Sequence, residues 1–341
     1  MVVAVEMAGP SNNRCWCGSS GFEPAPRSDY LICRECGAAV FKPLLEDPEG
    51  TADKLANRLY SHVYWQSHQT AMGFPTIEER ARLDLPNRCV YWLDYVLRYH
   101  RPPGRVLELG SAHGGFLGLL RLAGYDVLGM EMAAETLMKA KQWFAVDGVL
   151  GPIENCGQDL GHFDVIVLLD VLEHFFDPLA SLRLAASHLT ENGMMVVQTP
   201  EFHRQRAPDW AHFKPEHTFL FSKSGAERLF RVAGFPNMKF EPPIFPGNMF
   251  FFVSRAPLRR RAFEEAAEDL LATPDGRVAL ALLDSYHARA AAETDPVAYW
   301  GLRRLARYFL RALASWPRRR FGRRREHEED EADLAPSNHV R

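Results

Sequence analysis

The chain lacks any run of about 18 apolar residues, so no segment is expected to cross a bilayer as a helix. Its opening residues, MVVAVEMAGPSNN, lack the basic start and long apolar centre of a secretory leader, and a cytoplasmic protein is expected. Net charge is slight, 40 Lys and Arg against 43 Asp and Glu for −3, so bulk charge announces no partner. Cysteine is scarce, with six in 341 residues at 15, 17, 33, 36, 89 and 156. Four of the six lie close together and two are isolated, which excludes a secreted disulfide framework and reads as metal chemistry. There is no internal repeat. What is present, 47% hydrophobic and 24% charged residues with 24 Gly and 23 Pro spread throughout, is the composition of a globular protein. The length suits two domains, or one large α/β domain with appendages.

Residues 1–45 carry the four clustered cysteines and many turn formers, and read as a small stapled module. Residues 46–100 read as helical, broken at Gly-Phe-Pro. After RPPG, strands are expected at Val106 to Leu109, in DVLGME, near 148–150, in FDVIVLLD at 163–170 and in MMVVQTP at 194–200. Helical stretches separate them. Continuous apolar strands at this spacing predict a parallel sheet covered on both faces. A closing pair near 238–241 and 249–255 can be antiparallel. Helices are expected over 257–316, followed by a charged tail over 317–341 without fixed structure.

In VLELGSAHGGFLGLL, Gly110 and Gly114 fall in the turn between strand and helix, with Glu108 at the strand end. A glycine there lets a ligand approach the backbone where a Cβ would intrude. Glu131 ends the next strand, where a carboxylate can accept ribose hydroxyls. Strand, loop, helix, strand and acid together specify a nucleoside site. The pattern is not G-x-G-x-x-G, and an acid ahead of the loop would repel a pyrophosphate but suits a cationic ligand.

On these residues, the region from about 100 to 255 resembles the class I S-adenosylmethionine-dependent methyltransferases. The resemblance implies an α/β, Rossmann-like, seven-stranded and mostly parallel sheet over 101–256. It also implies that Glu108 holds the methionine end of the cofactor, that Gly110, Ser111, Ala112 and Gly114 pass beneath the sulfonium, and that Glu131 takes the ribose. Ala112 stands where the family has its middle glycine, a small change read as tolerated. Met132 is a candidate wall for the adenine. The alternative is a nicotinamide-type or non-catalytic Rossmann domain.

Past the fourth strand, LLDVLEHFFDP resembles the D-V-L-E-H stretch of small-molecule methyltransferases, with Asp170, Glu173 and His174 as its polar members. Asp170 is a candidate at the cofactor, or a helix cap. Glu216 and His217, followed by TFLFS, resemble the E-H-x-x-x-F-S segment of sugar C-methyltransferases. By that resemblance His217 is the base, Glu216 its orienting acid, and His174 a second acid/base or positioning group. Imidazole, with an ordinary pKa of about 6.5, suits proton removal near neutral pH. The alternative is that His217 only shapes the pocket. His203, Trp210 and His212 are weaker candidates for the acceptor site. Tyr60, Tyr64 and Trp65 lie on the preceding helical lid over 46–100, where an aromatic, Tyr64 above all, can cover a sulfonium by cation–π attraction or simply pack.

Cys15, Cys17, Cys33 and Cys36 form two close pairs, a tetrahedral S₄ set of the kind structural zinc prefers, with each half similar to a zinc-ribbon knuckle. The first pair is one residue shorter than C-x-x-C. Cys89 and Cys156 read as buried small hydrophobes. Ten arginines and no acid between 303 and 325 accompany an apolar stripe through Trp300, Leu305, Phe309 and Trp316. Residues 298–325 are therefore a candidate peripheral membrane contact, or a stripe packed on the fold. The expected activity is methyl transfer from S-adenosylmethionine to a small-molecule or glycan acceptor in sugar or natural-product biosynthesis, with oxygen favoured over carbon. RNA methylation and a non-catalytic cofactor-binding scaffold are the alternatives, and no nucleic-acid partner is expected.

Overall fold

A computed structural model of the chain describes residues 13–26, 29–59, 69–71, 73–155, 160–203 and 216–293. Tyr60, Tyr64, Trp65, Cys156, Trp210, His212 and the 298–325 segment lie outside them. The described part opens with three short strands, β1 (Phe22–Pro24), β2 (Tyr30–Cys33) and β3 (Ala39–Phe41), paired antiparallel in that order. Helices α1 (Lys42–Glu46), α2 (Pro48–Leu59) and α3 (Gln69–Ala71) follow.

Helix α4 (Ile77–Asp84) starts at a capping box, in which the Thr76 hydroxyl accepts from Glu79 N at 3.2 Å and the Glu79 carboxylate accepts from Thr76 N at 3.0 Å. Pro86 then lacks the N–H that the next turn needs, and its ring crowds the carbonyl four residues back. The helix widens there into a single π turn, Leu85–Cys89, and resumes as α5 (Val90–Tyr99).

The sheet strands are β4 (Arg105–Leu109), β5 (Asp126–Glu131), β6 (Asp147–Leu150), β7 (Phe163–Leu169) and β8 (Leu189–Pro200), then β9 (Phe219–Leu220), β10 (Asn237–Glu241) and β11 (Asn248–Ser254). Between and after them run α6 (Gly115–Leu122), α7 (Ala134–Phe144), α8 (Pro178–Ser187), α9 (Lys223–Val232), α10 (Phe263–Leu271) and α11 (Pro274–Glu293). The seven-stranded sheet has the order β10-β11-β8-β7-β4-β5-β6. Its pairs are parallel from β8 to β6, and β11 and β10 close it antiparallel. This is the seven-stranded, mostly parallel, Rossmann-like sheet that the resemblance implied, with the antiparallel closing pair expected near its end.

Period-two alternation divides the strands between two cores. Val106, Val165, Val167, Val196, Phe250 and Phe252 face α5, α6, α10 and α11. Leu107, Ile166, Leu168, Val197 and Phe251 face α8, α9 and the N-terminal module. Burying each such side chain contributes about 1.5–3 kcal/mol, which is why both faces must be covered. The α10–α11 pair is tied to α5 by His287 Nε2 on Asp94 Oδ2 at 3.2 Å. One feature is invisible to local pattern: β3 pairs antiparallel with β9, so the cysteine-bearing sheet takes its fourth strand from the segment after His217.

Candidate functional site

β4 has β5 on one side and β7 on the other, and the helices that follow β4 and β7 pack on opposite faces. A crevice opens at the carboxyl ends of strands at such a switch point. A cavity of about 790 Å³ lies there, lined by the loop after β4, the ends of β5, β7 and β8, the α4–π segment and Phe245–Asn248. Of the residues singled out from sequence, Glu108, Gly110, Ser111, Ala112, Glu131, Met132, Asp170, His174 and His217 all line it.

The turn after β4 is built on backbone constraints. Gly110 has φ +69°, and a Cβ there would come within 2.8 Å of Val171 Cγ2. Gly114, at φ +74°, is held beside Ala140, whose Cβ an added Cβ would meet at 2.7 Å. Ala112 itself adopts φ +46°, a left-handed conformation that costs a non-glycine residue about 1–2 kcal/mol. Its N–H donates to Glu131 Oε2 at 3.0 Å, so the strained peptide is used to hold the acid. Glu131 Oε1 accepts from Met132 N at 2.8 Å and Ala133 N at 3.2 Å. Three of its roughly four acceptor positions are thus filled, leaving room on Oε2 for one further donor.

Burial pushes the Glu131 carboxyl above its ordinary value, with the three N–H donors opposing. Burial, and then the nearby Glu131, push Glu108 well up, against the pull of Arg88. Glu108 Oε2 is buried and accepts no hydrogen bond, and Ser111 Oγ and Arg88 Nε are likewise buried without a partner. An unpaired acid and an unpaired guanidinium N–H on one cavity wall suit a ligand that carries both an ammonium and a carboxylate.

Arg88 belongs to a cluster that sequence reasoning missed. Asp84 Oδ2 accepts from Arg88 Nη2, from Arg80 Nε at 3.4 Å and from His113 Nε2 at 3.2 Å. Burial raises the Asp84 carboxyl, but His113 and the two guanidiniums outweigh it and hold the group at about 2. Gly115 N donates to His113 Nδ1 at 3.0 Å, so the His113 proton sits on Nε2 and burial keeps the ring neutral. The signal was available: Arg80, Asp84 and Arg88 are spaced four apart and share one helix face.

Past β7, Asp170 is held at φ +58°, and its Oδ1 accepts from Gln198 Nε2 at 3.1 Å. Gln198 is fixed in turn by Trp92 Nε1 at 3.1 Å. His174 and His217 stand edge to face with ring centroids 5.0 Å apart, and His217 is buried. His174 Nδ1 donates to the Glu216 carbonyl at 2.8 Å, which leaves Nε2 as its acceptor nitrogen when the ring is neutral. Glu173, fully buried, accepts from the Thr199 hydroxyl at 2.9 Å. Donor atoms of Glu173, His174 and His217 lie within 4.8 Å of one another, close enough to share a cation. Glu216 is buried next to His217 but does not line the cavity, and His203 pairs with Glu201 at 3.5 Å, also off the cavity wall.

In the N-terminal module, Cys15 and Cys36 Sγ lie 3.6 Å apart, as do those of Cys17 and Cys33. All four sulfurs fall within 4.8 Å of each other. The edge of a zinc–thiolate tetrahedron with bonds of about 2.3 Å is about 3.8 Å, so the donor set fits a closed structural site despite the short first pair. Cys89 is buried on the cavity wall, and burial pushes its thiol well up.

Residues 81–239 match the family model described as a methyltransferase domain. Among curated proteins, the chain is similar to the ubiquinone biosynthesis O-methyltransferase of Xanthomonas campestris, 31% identical over 114 residues that cover 31% of this chain and 48% of that one. The enzyme of the same description from Bordetella avium is 28% identical over 134 residues, covering 38% and 51%. The chain thus spans about half the length of the curated relatives it matches. Among solved structures, an S-adenosylmethionine-dependent methyltransferase of Thermotoga maritima is 17% identical with a TM-score of 0.42, covering 59% of this chain and 100% of that one.

Proposed function

We propose, from the premise that residues 81–239 are an S-adenosylmethionine-dependent methyltransferase domain, that the whole chain methylates a hydroxyl of a small-molecule or sugar acceptor with His217 as the base. The observation that carries the reading is that one cavity is lined both by the Glu108–Glu131 pair with the Gly110 turn and by the half-buried His174 and buried His217. The cofactor supplies a methyl group on a positively charged sulfur. Glu108 would hold its ammonium, Arg88 its carboxylate, Glu131 Oε2 one ribose hydroxyl, and Met132 and Ile153 would flank the base.

With the donor placed so, the acceptor oxygen comes in from the histidine end. His217 takes the hydroxyl proton as the oxygen attacks, which spares the acceptor a free alkoxide. His174, with Nδ1 committed to the Glu216 carbonyl, offers Nε2 to orient the acceptor. Trp92, Phe116, Phe175 and Phe245 give the cavity an apolar lining that lowers the water content around the reacting atoms. The module at 1–45 carries a structural zinc on Cys15, Cys17, Cys33 and Cys36, and the division at 46, 101 and 257 belongs to the same proposal.

Turnover tests it. Wild-type protein given the cofactor and hydroxyl-bearing acceptors releases S-adenosylhomocysteine and yields a methylated product. In His217→Gln the rate falls about 10²- to 10⁴-fold while S-adenosylhomocysteine still binds. A wild-type rate in that variant removes His217 from the base role.

A further inference from the structure

The N-terminal module does more than pack against the fold. Strand β3 pairs with β9, with Ala39 opposite Leu220 and Val40 opposite Phe219, and β9 begins two residues after His217. Phe41 N donates to the Thr218 carbonyl at 2.9 Å, extending that ladder toward the histidine. The Tyr30 hydroxyl donates to the His217 carbonyl itself at 2.7 Å, and Tyr30 is fully buried. On its other side the same stretch is pinned to the segment after β7, because the Thr218 hydroxyl shares its one proton between the carbonyls of Phe175 at 2.7 Å and Glu173 at 3.0 Å. His217 is therefore clamped between the β7 end and the cysteine module.

Tyr30 and two of the cysteines share one short path. Tyr30 starts β2 and Cys33 ends it, while Cys33 N donates to Ala38 O at 2.9 Å, closing the knuckle that carries Cys36 and leads into β3. The outer edge of that knuckle is held by α9, where Arg228 donates to the Glu35 carbonyl at 2.7 Å and to its carboxylate at 2.6 Å. β2 thus links the four-sulfur site to the Tyr30 hydroxyl, and through it to the His217 carbonyl.

We propose that Tyr30 is a positioning residue for His217, and that occupancy of the four-cysteine site sets the geometry of the acceptor end of the cavity through this hydrogen bond. The proposal rests on the reading of His217 as the base. Misplacing a catalytic group by about 1 Å costs on the order of 100-fold in rate, so a modest shift is enough to matter.

The test follows the His217 ring directly. Full-length protein with its metal bound is labelled with ¹⁵N-histidine, saturated with S-adenosylhomocysteine, and the His217 ring signals are assigned by their loss in His217→Gln. In Tyr30→Phe, which keeps the ring and removes only the hydroxyl, the metal content and S-adenosylhomocysteine affinity stay at wild-type values. The His217 ring signals shift while those of the remote His100 and His287 do not, and turnover falls about tenfold. Removing the metal from wild-type protein with a chelator moves the same His217 signals, and this arm decides alone if Tyr30→Phe does not fold. Signals of His217 that stay superimposed on wild type, or that are lost only together with S-adenosylhomocysteine binding, overturn the proposal. If His217→Gln instead turns over normally while Tyr30→Phe still shifts the ring, the base assignment fails and the positioning stands.

Discussion

The two ends of the cavity are built in different ways. The end proposed for the cofactor comes almost wholly from one βαβ unit: Glu108 is the penultimate residue of β4, Gly110 to Gly114 make the turn into α6, and Glu131 closes β5. The acceptor end is assembled from the end of β7, the segment before β9, the Phe245 turn and a helix that precedes the sheet altogether. Its defining hydrogen bonds span long stretches of chain, with Tyr30 and His217 separated by 187 positions and Trp92 and Gln198 by 106. A site made by consecutive residues is rigid as soon as its strands pair. One made by distant segments depends on every element that holds them, so the two ends should respond differently to substitution.

The largest expected effect falls on the α4–π segment that lines the cavity. Arg88→Ala removes the closest guanidinium from a largely buried carboxylate and leaves Asp84 with Arg80 and His113 alone. Breaking a buried pair costs about 3–5 kcal/mol, so chemical denaturation should show a loss near the lower bound, given the two remaining partners. Affinity for S-adenosylhomocysteine should fall in the same variant. Unchanged stability would mean that the cluster is a surface pair and not a support of the cavity.

A smaller effect of opposite sign is expected at Glu108. Its carboxyl is raised in the folded protein, so the folded state binds the proton more tightly than the unfolded chain does. The carboxyl therefore costs stability increasingly as pH rises from the ordinary carboxylate range through the raised value. Glu108→Gln should raise thermal stability near neutral pH by about 1 kcal/mol or more and flatten its dependence on pH across that window. The same variant should bind S-adenosylhomocysteine more weakly, and the proton release that accompanies binding to the wild type should disappear. Calorimetry in two buffers of different ionisation enthalpy reads that release.

The smallest effect belongs to Ala112, where a left-handed φ is held by a residue with a Cβ. Ala112→Gly should relieve that strain by about 1 kcal/mol without changing cofactor affinity, because the N–H on Glu131 is kept. A loss of stability in urea melts would show that the turn pays no strain at this position.

This contrast also explains what the amino-acid sequence disclosed. The positions of the seven strands, their parallel pairing and the antiparallel closing pair were legible, because continuous apolar runs at βαβ spacing leave few arrangements, whereas their order in the sheet was not. Glu108, Gly110 and Glu131 were legible for the same reason, since strand ends and glycine turns mark one edge of a sheet. His217 and His174 could be named by resemblance, but not their 5.0 Å approach, which is made by segments 43 residues apart in sequence. Arg80, Asp84 and Arg88 were hidden in a stretch that reads as an ordinary charged helix face. Their four-residue spacing puts them on one face, but which face meets the cavity is set by how α4 and the π turn pack on the fold. The link from the cysteine module to His217 had no local signal at all, because β9 is two residues long and pairs across the whole fold.

The central claim is that the crevice at the ends of β4 and β5 holds the cofactor. Its most direct test is a calorimetric titration with S-adenosylhomocysteine, comparing wild type with Glu131→Gln. In the variant an amide N–H₂ would replace the acceptor that faces both the Ala112 N–H and the ligand. The account predicts one site per chain in the wild type and an affinity lower by about 100-fold in the variant, with the fold intact by circular dichroism. Binding of equal strength in the two proteins would contradict it.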